Sequence, residues 1–532
     1  MESMKILSAE EMAACDRVTS EQFGISLNTL MQAAGAAVAR FALLRHPRAA
    51  RVLVLCGRGN NGGDGMVAAQ ALAASGRRVT AILLSAEDGL REELKELWSG
   101  LKADGRVRLF ACSEEAALQK LLDDCADAEL VIDAMVGTGL RAPLRGLALC
   151  AVQWLRRQAL PVLAVDLPSG WDADESHAEL AAPADAVVTF TAPKLAHALG
   201  QLTRRWSDPV VVAAIGSPPE AIQTNSGLHW TGAAKAIFET ARAADAHKGS
   251  FGHVLVAGGS AGKAGAVAMA AMAAMRTGAG LVTAAVPEPT LPLVAGFAPE
   301  MMTVPLAAGA TALLERKTVL AVGPGLGTDA SAEAALRTLL DGCRVPVVID
   351  ADGLNLLARE PGWVKKLAHG RRLILTPHPG EMARLVGATV AGIEQDRLRV
   401  AREYATANGV TLVLKGHRTL VAHADGRVAV NTTGNPGMAK GGSGDILTGM
   451  IAAAIAQFPT RLPEAVEAAV CLHGLAGNCA ARRLDEHTML ATDTLAALSE
   501  AFQLRLTDED GFVWLQGAGQ AVTLAANPEL QA

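Results

Sequence analysis

Short, nearly unbroken apolar runs recur along the chain, and each ends in glycine or polar residues. The first six are "RVLVLCG" (51–57), "RVTAILLS" (78–85), "ELVIDAMVG" (129–137), "PVLAVDLPSG" (161–170), "DAVVTF" (185–190) and "PVVVAAIG" (209–216). Six more follow: "HVLVAGG" (253–259), "GLVTAAVP" (280–287), "TVLAVGPG" (318–325), "VPVVIDADG" (345–353), "RRLILTPH" (371–378) and "VTLVLKG" (410–416). Runs without polar alternation predict strands buried on both faces of a parallel sheet. The alanine-rich stretches between them predict helices. Strand and helix alternate, so the fold class is α/β with doubly wound sheets. The Pro-, Ser- and Asn-rich segment 217–227 divides the two series. Two domains are therefore expected, 1–217 and 228–505, with a tail, 506–532, that has no assignable role. The two series show no residue-level repeat.

Composition narrows the picture. At 532 residues, half hydrophobic and 19% charged, the chain can bury two large cores and is not a disordered segment. The net charge of -6, with no long basic run, argues against nucleic acid as a partner. The eight cysteines form no CxxC and no Cys/His cluster with metal spacing, which fits free thiols in a reducing cytoplasm. The N-terminus "MESMKILSAEEMAACDRV" carries acids and no apolar core, so no signal peptide is expected. The run "AGAVAMAAMAAM" (264–275) is short and predicts a buried helix, with no membrane association.

Candidate chemistry gathers where the strands end, as ligand sites do in open α/β sheets. In the first half, "GRGNNGGDG" (57–65) satisfies GxGxxG between a strand and a helix. A carboxylate at the helix start, Asp64, opposes a pyrophosphate, however, so a dehydrogenase is disfavoured. "IDAMVGTGLRAP" (132–143) and "VDLPSGWDAD" (165–174) put Asp133, Asp166 and Ser169 at two more strand ends. Oxygens of Asn61, Asp133 and Ser169 carry one formal charge, which suits a monovalent cation better than Ca²⁺ or Mg²⁺.

The second half is richer in glycine. "GKAGAVAMAAMAAMRTGAGLVT" (262–283), "GPGLG" (323–327), "DADGLN" (350–355), "TPHPGE" (376–381), "KGHRT" (415–419) and "TGNPGMAKGGSGDILTGM" (433–450) all follow or flank strands. No GxxxxGK[ST] is present, so a P-loop does not cradle phosphate. Glycines that expose N–H groups ahead of a helix make an anion site. An aspartate there, Asp445, makes sense if it takes a proton from a nucleophile while the N–H groups hold a phosphoryl group. Lys415 at a strand end suits a phosphate contact.

The N-terminal motifs, in order over about residues 8–215 and with "TFTAPKLAH" (189–197) as a further element, resemble the NAD(P)H-hydrate epimerase family, YjeF N-terminal. The set over about 235–500 resembles the ADP- or ATP-dependent NAD(P)H-hydrate dehydratase family, YjeF C-terminal. The resemblance implies a Rossmann-like three-layer N-terminal sandwich and a ribokinase-like three-layer C-terminal one. It implies that Asn60, Asn61, Gly62, Gly63 and Asp64, with Gly137, Thr138, Gly139, Leu140, Arg141, Ala142 and Pro143, bind hydrated NADH or NADPH. It makes Asn61, Asp133 and Ser169 ligands of K⁺ and puts Asp166 at the substrate as general acid/base. In the second half it implies that Ala266, Gly327, His378 and Asp445 face the hydrated dinucleotide. Lys415, Gly416, His417, Arg418, Thr419 and Gly444 would face ADP, with Mg²⁺ accompanying the nucleotide. Lys440 departs from the small or hydroxyl residue expected at its position. A homo-oligomer is expected.

Three rivals compete with a bifunctional repair enzyme. A ribokinase-like vitamin or sugar kinase with an accessory domain would release a stable phosphorylated product. A non-catalytic N-terminal binding module would not need intact Asp133 and Asp166. A dehydrogenase would turn over by hydride exchange without any nucleoside diphosphate or triphosphate.

Overall fold

The computed structural model describes residues 4–140 and 143–517. Two compact units emerge: one is Lys5–Ser226, rejoined by the chain from Arg505, and the other is Gly227–Leu504 with Met4. The segment expected to divide them packs with the first unit. There Glu11 Oε1 accepts from Thr224 Oγ1 (3.0 Å) and the Asn225 amide (2.8 Å), and Lys5 Nζ donates to the Ile222 carbonyl (2.7 Å).

The strands of the first unit are β1 (Arg51–Cys56), β2 (Arg78–Leu83), β3 (Val107–Ala111), β4 (Leu130–Ala134), β5 (Val162–Val165), β6 (Ala186–Phe190) and β7 (Val210–Ala213). Those of the second are β8 (Leu228–Trp230), β9 (His253–Ala257), β10 (Leu281–Val286), β11 (Met302–Pro305), β12 (Val319–Val322), β13 (Val347–Ile349), β14 (Leu373–Leu375), β15 (Thr411–Leu414), β16 (Leu420–Ala422) and β17 (Val428–Val430). The last strand, β18 (Phe512–Gln516), returns to the first unit and pairs antiparallel with β7. Phe512 is fully buried there, edge-on to Phe41 at 5.2 Å between ring centroids. Part of the tail is thus a strand. Residues 518–532 lie outside the described residues.

The first sheet runs β18-β7-β6-β5-β4-β1-β2-β3, parallel throughout except for β18. Apolar clusters cover both of its faces, one holding Phe41, Met66 and Trp98, the other Leu118, Trp154 and Leu155. That is why its strands read as unbroken apolar runs. Strand order reverses between β1 and β4, which opens a crevice at their carboxyl ends. The second sheet runs β11-β10-β9-β12-β13-β14-β15-β16-β17-β8, parallel from β11 to β15 and closed by the antiparallel β15–β16–β17 meander. Its order reverses between β9 and β12.

The helix Leu27–Arg45 is long and apolar enough to cross a membrane by length and composition. In the fold it packs along the Asn60–Ala74 helix, with Leu30, Val38, Phe41 and Ala42 buried. The run 264–275 forms most of the helix Ala264–Thr277, which packs on β9 and β10.

Candidate active sites

The first site is a cavity of about 490 Å³ at the β1/β4 crevice, lined among others by Asp16, Asn61, Asp64, Gly137, Asp166 and Lys194. The NNGGD run forms the first turn of the Asn60–Ala74 helix. Its glycines permit close packing. A Cβ on Gly62 would lie 1.8 Å from the Gly57 carbonyl oxygen, and one on Gly63 2.4 Å from Met31 Sδ. The approach brings the helix N-terminus onto the strand end and aims Asp64 into the cavity.

Asp166 follows β5 with φ 64°, a strained conformation for a residue other than glycine. Its Oδ1 accepts from Lys194 Nζ (2.8 Å) and Thr189 Oγ1 (2.8 Å), and its carbonyl meets His197 Nε2 at 2.7 Å. Burial pushes the Asp166 carboxyl up, but the Lys194 charge, His197 and the hydrogen bonds outweigh burial and leave it below the usual carboxylate range. Oδ2 lies 3.1 Å from where a Gly137 Cβ would sit, and Asn61 Oδ1 lies 3.0 Å from the same point. Any side chain at 137 would therefore displace both groups. Asp64 is the converse case. Burial, then the nearby charges of Asp166 and Asp16, push it well above the ordinary value. Asp16 is raised to about 6, chiefly by burial. The two neighbouring carboxyls are thus driven in opposite directions, Asp166 down and Asp64 up.

Below the 135–139 turn, Ser169 Oγ donates to Asp133 Oδ1 (2.5 Å), the Ser169 amide donates to Oδ2 (2.8 Å), and the Val136 amide donates to Ser169 Oγ (3.0 Å). Asp133 is fully buried, and burial raises its carboxyl to about 6. Asn61 reaches the same turn through Gly137, and its buried Nδ2 has no hydrogen-bond partner among the described residues. Arg141 and Ala142 fall outside the described residues. Lys194, Thr189, His197 and Asp16 are the groups that sequence reasoning did not assign. The partnership of Lys194, Thr189 and His197 with Asp166 depends on β6 lying beside β5, and Asp16 comes from the N-terminal helix Ala9–Phe23, which no local pattern shows.

The second site lies past the carboxyl ends of β12, β13 and β15. Gly442, at φ 98°, is the N-cap of the helix Ser443–Gln457, and Asp445 sits in its first turn. First-turn amides such as that of Gly444 have no acceptor within the helix. The Ser443 amide differs, because it donates to the Lys440 carbonyl at 3.4 Å. Lys440 itself turns away and caps the carbonyls of His487 and Met489, both at 2.6 Å.

Lys415 Nζ sits 3.2 Å from the position of a Gly444 Cβ. It donates to Asp350 Oδ1 (2.7 Å) and lies 3.8 Å from Glu381 Oε2. Thr448 Oγ1 takes the other Asp350 oxygen at 2.7 Å. With Lys415 drawn to these two acids, Asp445 is poorly compensated. Burial, then the Asp350 charge, raises it to about 6 against the pull of Lys415. Asp352 Oδ2 accepts from the Gly327 amide and from Lys263, both at 2.9 Å, which ties the 323–327 loop to the cluster. Ala266 packs under this loop, its Cβ 3.2 Å from the place of a Gly325 Cβ. His378 is half exposed and caps the helix Pro379–Val386, its Nδ1 accepting from the Gly380 amide at 3.0 Å. Residues 416–419 form the β15–β16 turn. His417 projects outward, while the buried Arg418 donates to the Thr432 carbonyl at 3.0 Å and braces the loop. Ala351 and Arg418 hold φ of 50° and 56°. With Asp166 and Thr191 they account for four of the five left-handed non-glycine residues among those described, so strain collects at the two sites. Asp350 and Glu381 stood in the quoted motifs, but their competition for Lys415 is visible only once β13 and β15 are placed.

The chain is thus a two-unit α/β enzyme with one acid-lysine site at a strand-order reversal and a second at an open helix N-terminus. Residues 27–196 match the family described as YjeF-related protein N-terminus, and residues 254–501 the family described as NAD(P)H-hydrate dehydratase. The bifunctional NAD(P)H-hydrate repair enzyme Nnr of Moorella thermoacetica is 39% identical over 535 residues, covering 95% of this chain and 98% of that one. Its counterpart in Escherichia coli is 34% identical over 519 residues, covering 94% and 95%. Among solved structures, the ADP/ATP-dependent NAD(P)H-hydrate dehydratase from Bacillus subtilis, co-crystallized with ATP/Mg²⁺, shows 33% identity and a TM-score of 0.46. It covers 51% of this chain and 96% of that one. The chain belongs to the bifunctional NAD(P)H-hydrate repair enzyme family.

Proposed function

We propose that the first unit interconverts the two C6 epimers of hydrated NADH and NADPH. The second dehydrates the S form at the expense of ADP, giving AMP, phosphate and the reduced nucleotide. The observation that carries this reading is Asp445, a carboxyl raised to about 6 in the first turn of a helix capped by Gly442 and beside Lys415. That pairing suits deprotonation of a hydroxyl beside a phosphoryl group.

Hydroxide leaves a reduced ring poorly. Asp445 accepts the proton of the C6 hydroxyl as its oxygen attacks the terminal phosphorus of ADP, and AMP departs. The Gly444 amide and neighbouring first-turn N–H groups hold the phosphoryl oxygens. The C6–O bond then breaks with phosphate as leaving group, a proton leaves C5, and the C5–C6 double bond returns. Four acids, Asp350, Asp352, Glu381 and Asp445, face two lysines, Lys415 and Lys263. That surplus of oxygen donors fits a Mg²⁺ ion brought with the nucleotide, which would neutralise phosphate charge.

In the first unit Asp64, which its surroundings push towards the protonated form, donates a proton to the departing C6 hydroxyl, and Asp166, pushed towards the ionised form, takes one from the water that adds to the opposite face. Asn61, Asp133 and Ser169 supply oxygens, and burial of the single Asp133 charge invites a monovalent cation. K⁺ there would fix the 135–139 turn. Eight unpaired cysteines support a cytoplasmic location, and we extend the reading to a homo-oligomer. The test is incubation with hydrated NADH and ADP, following the reduced-nicotinamide absorbance and free phosphate. A stable phosphorylated product without recovered NADH would favour the kinase reading.

A further inference from the structure

Three ligating side chains that neither site uses converge inside the second unit. His229 lies on β8, His423 directly follows β16, and Glu467 is on the helix Leu462–Arg483. Their exposures are 5%, 3% and 4%. Both imidazoles aim Nε2 at the same carboxylate oxygen: His229 is 2.9 Å and His423 2.8 Å from Glu467 Oε1. All three ligand atoms lie within 4.8 Å of one another. The sheet fixes the two histidines, because β8 and β16 flank β17 on either side. Thr411 Oγ1, 3.5 Å from His423 Nδ1, stands where an outer partner orients a ligating ring.

The charge balance of the cluster is unusual. Among the described residues no lysine or arginine pairs with Glu467. Both hydrogen bonds converge on one carboxylate oxygen, so the three groups are already gathered about a common point. Two imidazole nitrogens and a carboxylate oxygen are a donor set that zinc accepts. A tetrahedral ion with bonds of about 2.0–2.2 Å needs ligand atoms roughly 3.3 Å apart. Each Nε2 would withdraw from Oε1 by about half an ångström, and the two nitrogens, which lie within 4.8 Å of each other, would close to a similar spacing.

We propose that His229, His423 and Glu467 bind a divalent transition-metal ion of borderline softness, zinc foremost, in a buried structural site. The ion would tie β8 and the β16–β17 hairpin to one long helix. That helix also supports the glycine loop of the second site: Gly474 packs on Thr433, Gly477 on Met438, and Asn435 Nδ2 donates to Asn478 Oδ1 at 3.1 Å. Metal binding would therefore stiffen the loop without entering the chemistry.

The test uses the full chain, stripped by chelator and titrated with Co²⁺ in nucleotide-free buffer, followed by Zn²⁺ competition and thermal unfolding. The expected result is one equivalent of Co²⁺ with weak visible bands and no intense thiolate charge-transfer absorption. Zn²⁺ should displace it and raise the unfolding midpoint. Glu467→Gln and His423→Asn should each weaken binding by at least about a hundredfold. No stoichiometric binding by the unmodified chain would overturn the proposal and leave a hydrogen-bonded clamp. So would binding that survives both substitutions, or a thiolate spectrum. If the variants fail to fold, the spectrum of the unmodified chain decides.

Discussion

The two sites use the same ingredients, a lysine among several buried acids, and reach opposite settings. In the first unit Lys194 is committed to Asp166, whose carboxyl is lowered, and burial and like charges push the neighbouring Asp64 up. In the second unit Lys415 is committed to Asp350 and Glu381, and Asp445 is raised to about 6. A carboxylate's role thus follows from which acid the lysine touches. In the proposed mechanism one unit pairs an acid with a base for reversible proton movement, and the other keeps a base that loads and releases one proton per phosphoryl transfer.

The strongest way to break this contrast is Asp445→Asn. ADP-dependent recovery of NADH should fall by about 10² to 10⁴, with epimerisation unchanged, because a general base contributes about that much. A loss below tenfold would remove Asp445 from the chemistry. Next is Lys194→Met, which strips Asp166 of its counter-charge. Epimerisation should fall by about a hundredfold, and the acid limb of its pH profile should move upward as Asp166 loses the group that holds it ionised. An unmoved limb would mean that Lys194 only packs.

Exchange of K⁺ for Na⁺ should reduce epimerisation by about tenfold and leave dehydration untouched, an effect on the scale of perturbing a metal site through its surroundings. The difference should shrink below pH 6, where Asp133 takes up a proton and ceases to attract a cation. Equal K⁺ dependence of both activities would contradict the assignment of this ion to the first unit.

The smallest effect sharpens the contrast through stability. Asp445 is raised in the fold to about 6 from an unfolded value near 3.9, so the folded state binds the proton more tightly. Stability therefore falls as pH rises from about 4 to 6, and the penalty is fully present above that window. Asp445→Asn should raise stability at pH 7 by about 1–3 kcal/mol and change little at pH 4. Denaturant unfolding at the two pH values checks this. A destabilised variant at pH 7 would show that the carboxylate is well satisfied in the fold.

Much of this was legible in the chain. Apolar runs located twelve of the eighteen strands, missing β3, β8, β11, β16, β17 and β18, which are mostly short or at sheet edges, and glycine-rich strand ends pointed to Asp166 and Asp445. The missing part is what depends on strand order. Lys194 reaches Asp166 because β6 neighbours β5, and Lys415 reaches Asp350 because β13 and β15 flank β14. The strand at 512–516 escaped notice because a five-residue apolar run near the start of the tail carries no period of its own, and only the edge of β7 gives it a partner. The glycines of 62–65 read as a ligand cradle, yet the structure also needs them for helix-on-strand packing. His229, His423 and Glu467 are separated by hundreds of residues at most and tens at least, so no spacing could have announced them.

In the proposed mechanism the two chemistries are divided between the units, with Asp166 needed for one and Asp445 for the other. The most direct test is to give full-length Asp166→Asn and Asp445→Asn the separate R and S forms of hydrated NADH with ADP. The account expects Asp166→Asn to convert the S form at the unmodified rate and leave the R form almost untouched. Asp445→Asn should interconvert the two forms and recover no NADH from either. Loss of both activities in either folded variant would contradict it.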